Sequence, residues 1–118
     1  MLLTETWLTK DHLDSSVIDS THYCIIRDDR QQGKGGGVAA IYPKCLAYKI
    51  SVVTIEPTYD DFNILAFDVF TTEHSSSRYI VVYLPPLSAQ NDVIVNNLIH
   101  ILRKLKTKSE LYIYGDFK

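Results

Sequence analysis

The sequence predicts an α/β fold in one domain. Three observations carry this. Short β-type runs alternate with turn residues along most of the chain, one amphipathic helical stretch lies near its end, and the order strand–helix–strand runs from Arg78 to Tyr114. A strand–helix–strand unit is a crossover, so its two strands are expected to be parallel neighbours with the helix lying on the sheet. A chain of 118 residues has room for one core. Its 46% hydrophobic and 22% charged residues describe a folded globular chain and exclude a disordered one. The net charge of −2 excludes a histone-like polycation, so any nucleic-acid binding must come from a local site.

The elements follow in order. Met1–Thr4 is a short apolar run. Tyr23–Arg27 is rich in β-branched and aromatic residues and reads as a strand. Arg30–Gly37 is polar and glycine-rich, which predicts the tip of a hairpin. Val38–Tyr42 is the returning strand, ended by Pro43. Tyr48–Glu56 continues as a strand stopped by Pro57. Phe62–Phe70 carries mostly apolar residues on both faces, which suits a strand covered on both sides. Ser75-Ser76-Ser77 reads as a turn, and Arg78–Leu84 as a strong strand ending at Pro85-Pro86.

Asn91 or Asp92 can cap the helix that follows. Ile94, Leu98, Ile101, Leu102 and Leu105 form one apolar stripe, and Arg103, Lys104, Lys106 and Lys108 cluster where cations complement the helix dipole. That basic cluster reads as a solvated helix end with at most weak phosphate affinity. Glu110–Tyr114 is the last strand, with Gly115-Asp116-Phe117 turning off its end.

Several function classes drop out. No apolar run approaches the ~20 residues of a membrane-spanning helix. Cys24 and Cys45 form no disulfide framework or zinc spacing and read as small buried apolar residues. His12, His22, His74 and His100 share no metal spacing, and no nucleophile elbow is present. The stretch Gly33-Lys34-Gly35-Gly36-Gly37-Val38 is not a P-loop, because Lys34 is followed by glycines and a strand where a Walker loop needs Ser or Thr and a helix.

In open α/β sheets, reactive groups gather where strands end at their carboxyl edges. Tyr83 ends one of the two parallel strands and Asp116 lies just past the end of the other, so they are expected on one rim. Glu5 follows a short apolar run in the same way. Carboxylates on a common rim could hold a hard divalent cation, and the Tyr83 hydroxyl could donate to a phosphate. The plainer alternatives are a surface loop for Glu5, Gly-Asp turn chemistry for Asp116 and a packing aromatic for Tyr83.

The blocks Leu-Thr-Glu-Thr-Trp-Leu, Gly-Gly-Gly-Val-Ala-Ala-Ile-Tyr, Val-Tyr-Leu-Pro-Pro and Tyr-Gly-Asp-Phe-Lys occur in this order along the chain. Together they resemble the endonuclease domain of non-LTR retrotransposons, in the endonuclease/exonuclease/phosphatase superfamily with the apurinic/apyrimidinic endonucleases. Arg27, Asp29 and Arg30 resemble the usual run-in to the glycines. The resemblance implies a four-layer α/β sandwich and a Mg²⁺- or Mn²⁺-dependent phosphodiesterase that nicks DNA to supply a primer end for reverse transcription. It implies that Glu5 is the metal ligand, Tyr83 the phosphate contact and Asp116 the residue that orients or deprotonates the attacking water.

The departures from the family pattern are specific. Lys118 stands where the family has an asparagine, and a cation there cannot accept a hydrogen bond. Leu84 replaces the arginine of the Tyr-Arg-Pro-Pro block. The family's first strand and its later aspartate–histidine pair have no counterpart. The expectation is therefore a single truncated domain, 1–118, that is a partial sandwich lacking the first strand and the C-terminal half. It is expected to be inactive alone, not necessarily to hold its ion, and to self-associate through an exposed sheet face. A DNA substrate implies an intracellular, nuclear location. The competing readings are a nuclease completed by further sequence or a partner, and a non-catalytic α/β interaction domain.

Overall fold

In the computed structural model, residues 1–30, 35–86 and 91–116 are described, Asp116 by its backbone. The element order is β1 (Leu2–Thr4), α1 (Asp14–Val17), β2 (Tyr23–Asp28), β3 (Val38–Pro43), a 3₁₀ helix (Lys44–Lys49), β4 (Ile50–Val52), β5 (Asn63–Thr72), β6 (Ser75–Tyr83), α2 (Asp92–Lys104) and β7 (Glu110–Asp116). Two sheets form, one in the order β1-β3-β2 and one in the order β4-β5-β6-β7. Every neighbouring pair is antiparallel except β6 and β7, which are parallel and joined through α2, as the crossover pattern predicts.

The fold is a mixed sheet-and-helix architecture in which the central strands of the four-stranded sheet, β5 and β6, are covered on both faces. The strand period of two sends Leu65, Phe67, Val81 and Tyr83 to one face, where they meet Val38 and Ala40 of the three-stranded sheet. It sends Ala66, Ile80 and Val82 to the other, against Leu98, Ile101 and Leu105 of the α2 stripe and its last turn. Burying an aliphatic side chain of this size contributes about 1.5–3 kcal/mol, and Ile80, Val81, Val82 and Ile101 are all essentially inaccessible. Asn91 caps α2, its Oδ1 accepting from Val93 N at 3.0 Å and Ile94 N at 3.3 Å. The outer face of the three-stranded sheet carries Arg27, whose guanidinium donates to the His12 carbonyl and pairs with Asp14 and Asp29.

Several elements differ from the sequence reading. Tyr48–Glu56 is not one strand. Lys44–Lys49 coils as a 3₁₀ helix, and only Ile50–Val52 pairs, with Val69–Phe67 of β5. Ser75–Ser77 is no turn. The turn is the pair Glu73-His74, and the serines open β6 because Ser75 and Ser76 pair with Thr72 and Phe70. Gly115 and Asp116 extend β7 rather than turning off it, since Val82 and Tyr83 hold them in register. Phe117 lies outside the described residues, as do Gly33 and Lys34 of the hairpin tip. Cys24 is half-buried and Cys45 is exposed on the 3₁₀ helix, so neither thiol is a core residue.

The apolar face of the central strands is not left open. A run of exposed apolar side chains lies on β7, the edge of the four-stranded sheet, where Leu111, Tyr112, Ile113 and Tyr114 are all solvent-accessible. Tyr112 and Tyr114 stack on Tyr79, with centroids 5.1 and 6.4 Å apart. Among the described residues no helix is long and apolar enough to cross a membrane.

Candidate functional site

The site is built where β1 ends. Past Thr4 the backbone turns sharply. Glu5 and Trp7 have φ of 53° and 60°, a left-handed conformation that side chains rarely adopt and that needs support from neighbours. The support is the glycine turn that leads into β3. Thr6 N donates to the Gly37 carbonyl at 3.3 Å and Trp7 N to the Gly36 carbonyl at 3.0 Å. Gly37 is fixed as glycine twice over. Its φ is 86°, and a Cβ there would lie 2.5 Å from Thr6 Oγ1.

Turned in this way, the exposed Glu5 side chain reaches the buried end of β6. Tyr83 Oη donates to Glu5 Oε1 at 3.2 Å. Tyr83 also anchors a row across the four-stranded sheet. It is the register partner of Asn63 on β5 and of Asp116 on β7. Glu5, Asn63, Tyr83 and the Asp116 backbone therefore meet at one end of the sheet.

Asn63 is the one buried polar side chain among the described residues. Its Oδ1 accepts from Gly37 N at 3.0 Å, and its Nδ2 donates to Asp28 Oδ2 at 3.2 Å. Ile64 N donates to the same Asp28 oxygen at 3.1 Å. Burial pushes the Asp28 carboxyl above its ordinary value. The bonds from Asn63 and Ile64 oppose that rise, and the neighbouring charge of Asp29 adds to it.

Of the residues singled out in the sequence, Glu5 and Tyr83 are in direct contact, and the Asp116 backbone stands in register with Tyr83. Lys118 lies outside the described residues. No group of three or more His, Cys, Asp or Glu that could hold a metal ion comes together among the described residues. His22 sits on Asp19 at 2.6 Å, and His12 receives the Thr9 amide, both at the surface and away from this rim. Asn63 and Asp28 were not legible as site residues. The available signal was an amide heading a mostly apolar strand and a carboxylate ending β2.

No protein-family model and no curated protein matches this chain.

Proposed function

We propose that this chain carries part of the active site of a metal-dependent DNA endonuclease of the retrotransposon type, within a four-layer sandwich of the endonuclease/exonuclease/phosphatase kind. The observation that carries the reading is the Tyr83–Glu5 hydrogen bond of 3.2 Å beside the Tyr83–Asp116 register. Three residues widely separated in sequence, each in one of the resembling blocks, meet at one sheet end. The order of the four blocks supports the same reading.

The donor chemistry fits Mg²⁺. This ion keeps most of its waters and takes one or two carboxylates together with substrate phosphate oxygens, so Glu5 is a sufficient first ligand. When bound, the ion supplies charge neutralisation at a phosphodiester. The chain's own residues do the rest. Tyr83 holds the Glu5 carboxylate in place through its phenol proton and lines the floor beneath it. The role implied for Asp116 is to orient a water for in-line attack. With Lys118 where the resembling family has an asparagine, the residues of this chain taken alone are expected not to turn over DNA.

Two measurements test this. Mn²⁺ added to the labelled protein is expected to broaden the amide signals around Glu5 and Tyr83, and Glu5→Gln is expected to abolish that broadening. Absence of local broadening at millimolar Mn²⁺ refutes the metal site. Supercoiled plasmid is expected to stay supercoiled with Mg²⁺. Relaxation that disappears in Glu5→Ala overturns the inactivity while establishing the nuclease. A second reading, a non-catalytic interaction domain, is favoured by the exposed apolar edge strand β7. It gains if Mn²⁺ finds no site.

A further inference from the structure

We propose that Asn63 is a positioning residue for the Glu5–Tyr83 pair, acting as a polar latch between the two sheets. The inference stands on the contacts of the pair itself and does not depend on the nuclease reading.

The path is short and closed. Asn63 Oδ1 accepts from Gly37 N at 3.0 Å in a buried setting. The carbonyls of Gly37 and Gly36 receive Thr6 N and Trp7 N, the two amides that follow Glu5. These bonds hold the left-handed backbone of Glu5 and Trp7. Glu5 Oε1 receives the Tyr83 hydroxyl, and Tyr83 is the register partner of Asn63. One residue row on β5 and β6 thus fixes both ends of the contact: the phenol directly, and the carboxylate by way of the glycine turn.

The chemistry demands an amide at position 63. The Gly37 N–H needs an acceptor, whereas the Asp28 carboxylate needs a donor. Only a side chain with both, set a fixed distance apart, meets the two partners. Flipping the amide would set N–H against N–H and oxygen against oxygen. Asp28 is held in turn by Ile64 N, so the latch is itself anchored to β5. A buried group left without its partner is costly, which is why the arrangement has one stable setting.

The test reads the Tyr83 ring, not turnover. In protein carrying ¹³C at the tyrosine Cζ, Glu5→Ala gives the Tyr83 signal without the Glu5 carboxylate. Asn63→Asp places a carboxylate against Asp28 and is expected to move the Tyr83 signal most of the way to that position. The Ile101 and Leu98 methyl signals, in the core on the other side of the sheet, should stay in place. Asn63→Ala, which removes the acceptor of Gly37 N without adding a charge, is expected to move the Tyr83 signal in the same direction. A folded Asn63→Asp or Asn63→Ala protein with an unmoved Tyr83 signal overturns the proposal. Hydrogen exchange on the wild-type chain decides the matter if the variants do not fold. The Asn63 side-chain amide and the amides of Gly37, Thr6 and Trp7 should open together and exchange about 100-fold or more slower than free peptide. Free exchange of Gly37 and Asn63, or opening of Thr6 and Trp7 independent of them, overturns it.

Discussion

Arg78 and Asp68 face each other as register partners on β6 and β5, and the guanidinium grips the carboxylate with two bonds, Nε to Oδ1 at 2.7 Å and Nη2 to Oδ2 at 2.9 Å. The third arm, Nη1, donates to the Leu105 carbonyl at the end of α2 at 2.9 Å. One side chain thus ties the sheet to the helix end. Both partners are largely buried, so truncation leaves an uncompensated charge. Arg78→Ala is expected to lower unfolding stability by about 3 kcal/mol. Arg78→Lys, which keeps the charge but loses the fork, is expected to cost about 1–2 kcal/mol. Urea denaturation followed by far-ultraviolet circular dichroism measures both, and equal stability of Arg78→Lys and wild type would show that the fork contributes nothing.

Gly37→Ala meets two obstacles at once, a φ of 86° and the Thr6 hydroxyl 2.5 Å from the new Cβ. The left-handed conformation alone costs about 1–2 kcal/mol. The clash should raise the total to about 2–3 kcal/mol and displace Thr6, with Glu5 following. Gly35→Ala is a useful contrast. It shares the positive φ, but its Cβ would meet only the Trp7 ring, at 3.3 Å. It is expected to be the milder of the two in the same denaturation experiment.

Asp28 gives the chain a pH signature. Its folded carboxyl lies above the ordinary value of 3.8, raised chiefly by burial, so the folded state holds this proton more tightly than the unfolded state. Asp28's contribution is therefore most favourable below pH 3.8. It is lost as pH rises from there through the raised folded value and stays lost above it. Asp28→Asn removes this dependence. The stability of wild type minus that of Asp28→Asn should fall with rising pH across the acid range. A difference that is flat or rises with pH contradicts the assignment.

Loss of the helix cap is a local test. Asn91→Ala deprives Val93 N and Ile94 N of their acceptor and is expected to cost about 1 kcal/mol. Asn91→Ser should retain most of the stability. If alanine and serine behave alike, the Asn91 side chain is not the cap.

The edge strand β7, seven residues long, turns the backbone groups of alternate residues to the open side of the sheet, with apolar side chains exposed on both faces. Ile113→Lys places a charge in the middle of that edge. Wild type is expected to show concentration-dependent association in sedimentation velocity, and Ile113→Lys to sediment as a monomer at the same concentrations. A wild-type chain that stays monomeric throughout removes the association.

The parts of the fold legible in the sequence were those set by local periodicity. The α2 stripe of Ile94, Leu98, Ile101 and Leu105 and the doubly apolar β5 and β6 follow from burial of one stripe and two faces. The parallel β6–β7 pair follows from the strand–helix–strand crossover. What was not legible depends on distant partners. Ser75–Ser77 has turn composition yet forms strand because β5 extends to meet it. Tyr48 and Lys49 alternate like a strand but coil because only Ile50–Val52 finds a partner on β5. The same holds at the candidate site. Glu5 and Tyr83 stood out by their strand-end positions. Asn63 reads as an ordinary strand residue until Gly37 and Asp28 are brought to it across the gap between sheets.

The single parallel pairing has a consequence for folding order. β5 and β6 meet through a two-residue turn, whereas β7 reaches β6 only across the intervening α2 crossover. Contacts that close long stretches of chain form slowly, because loop entropy is lost before they repay it. Asp116 is therefore expected to join Tyr83 after the β5–β6 hairpin has paired, and the rim where these residues meet to mature after that hairpin.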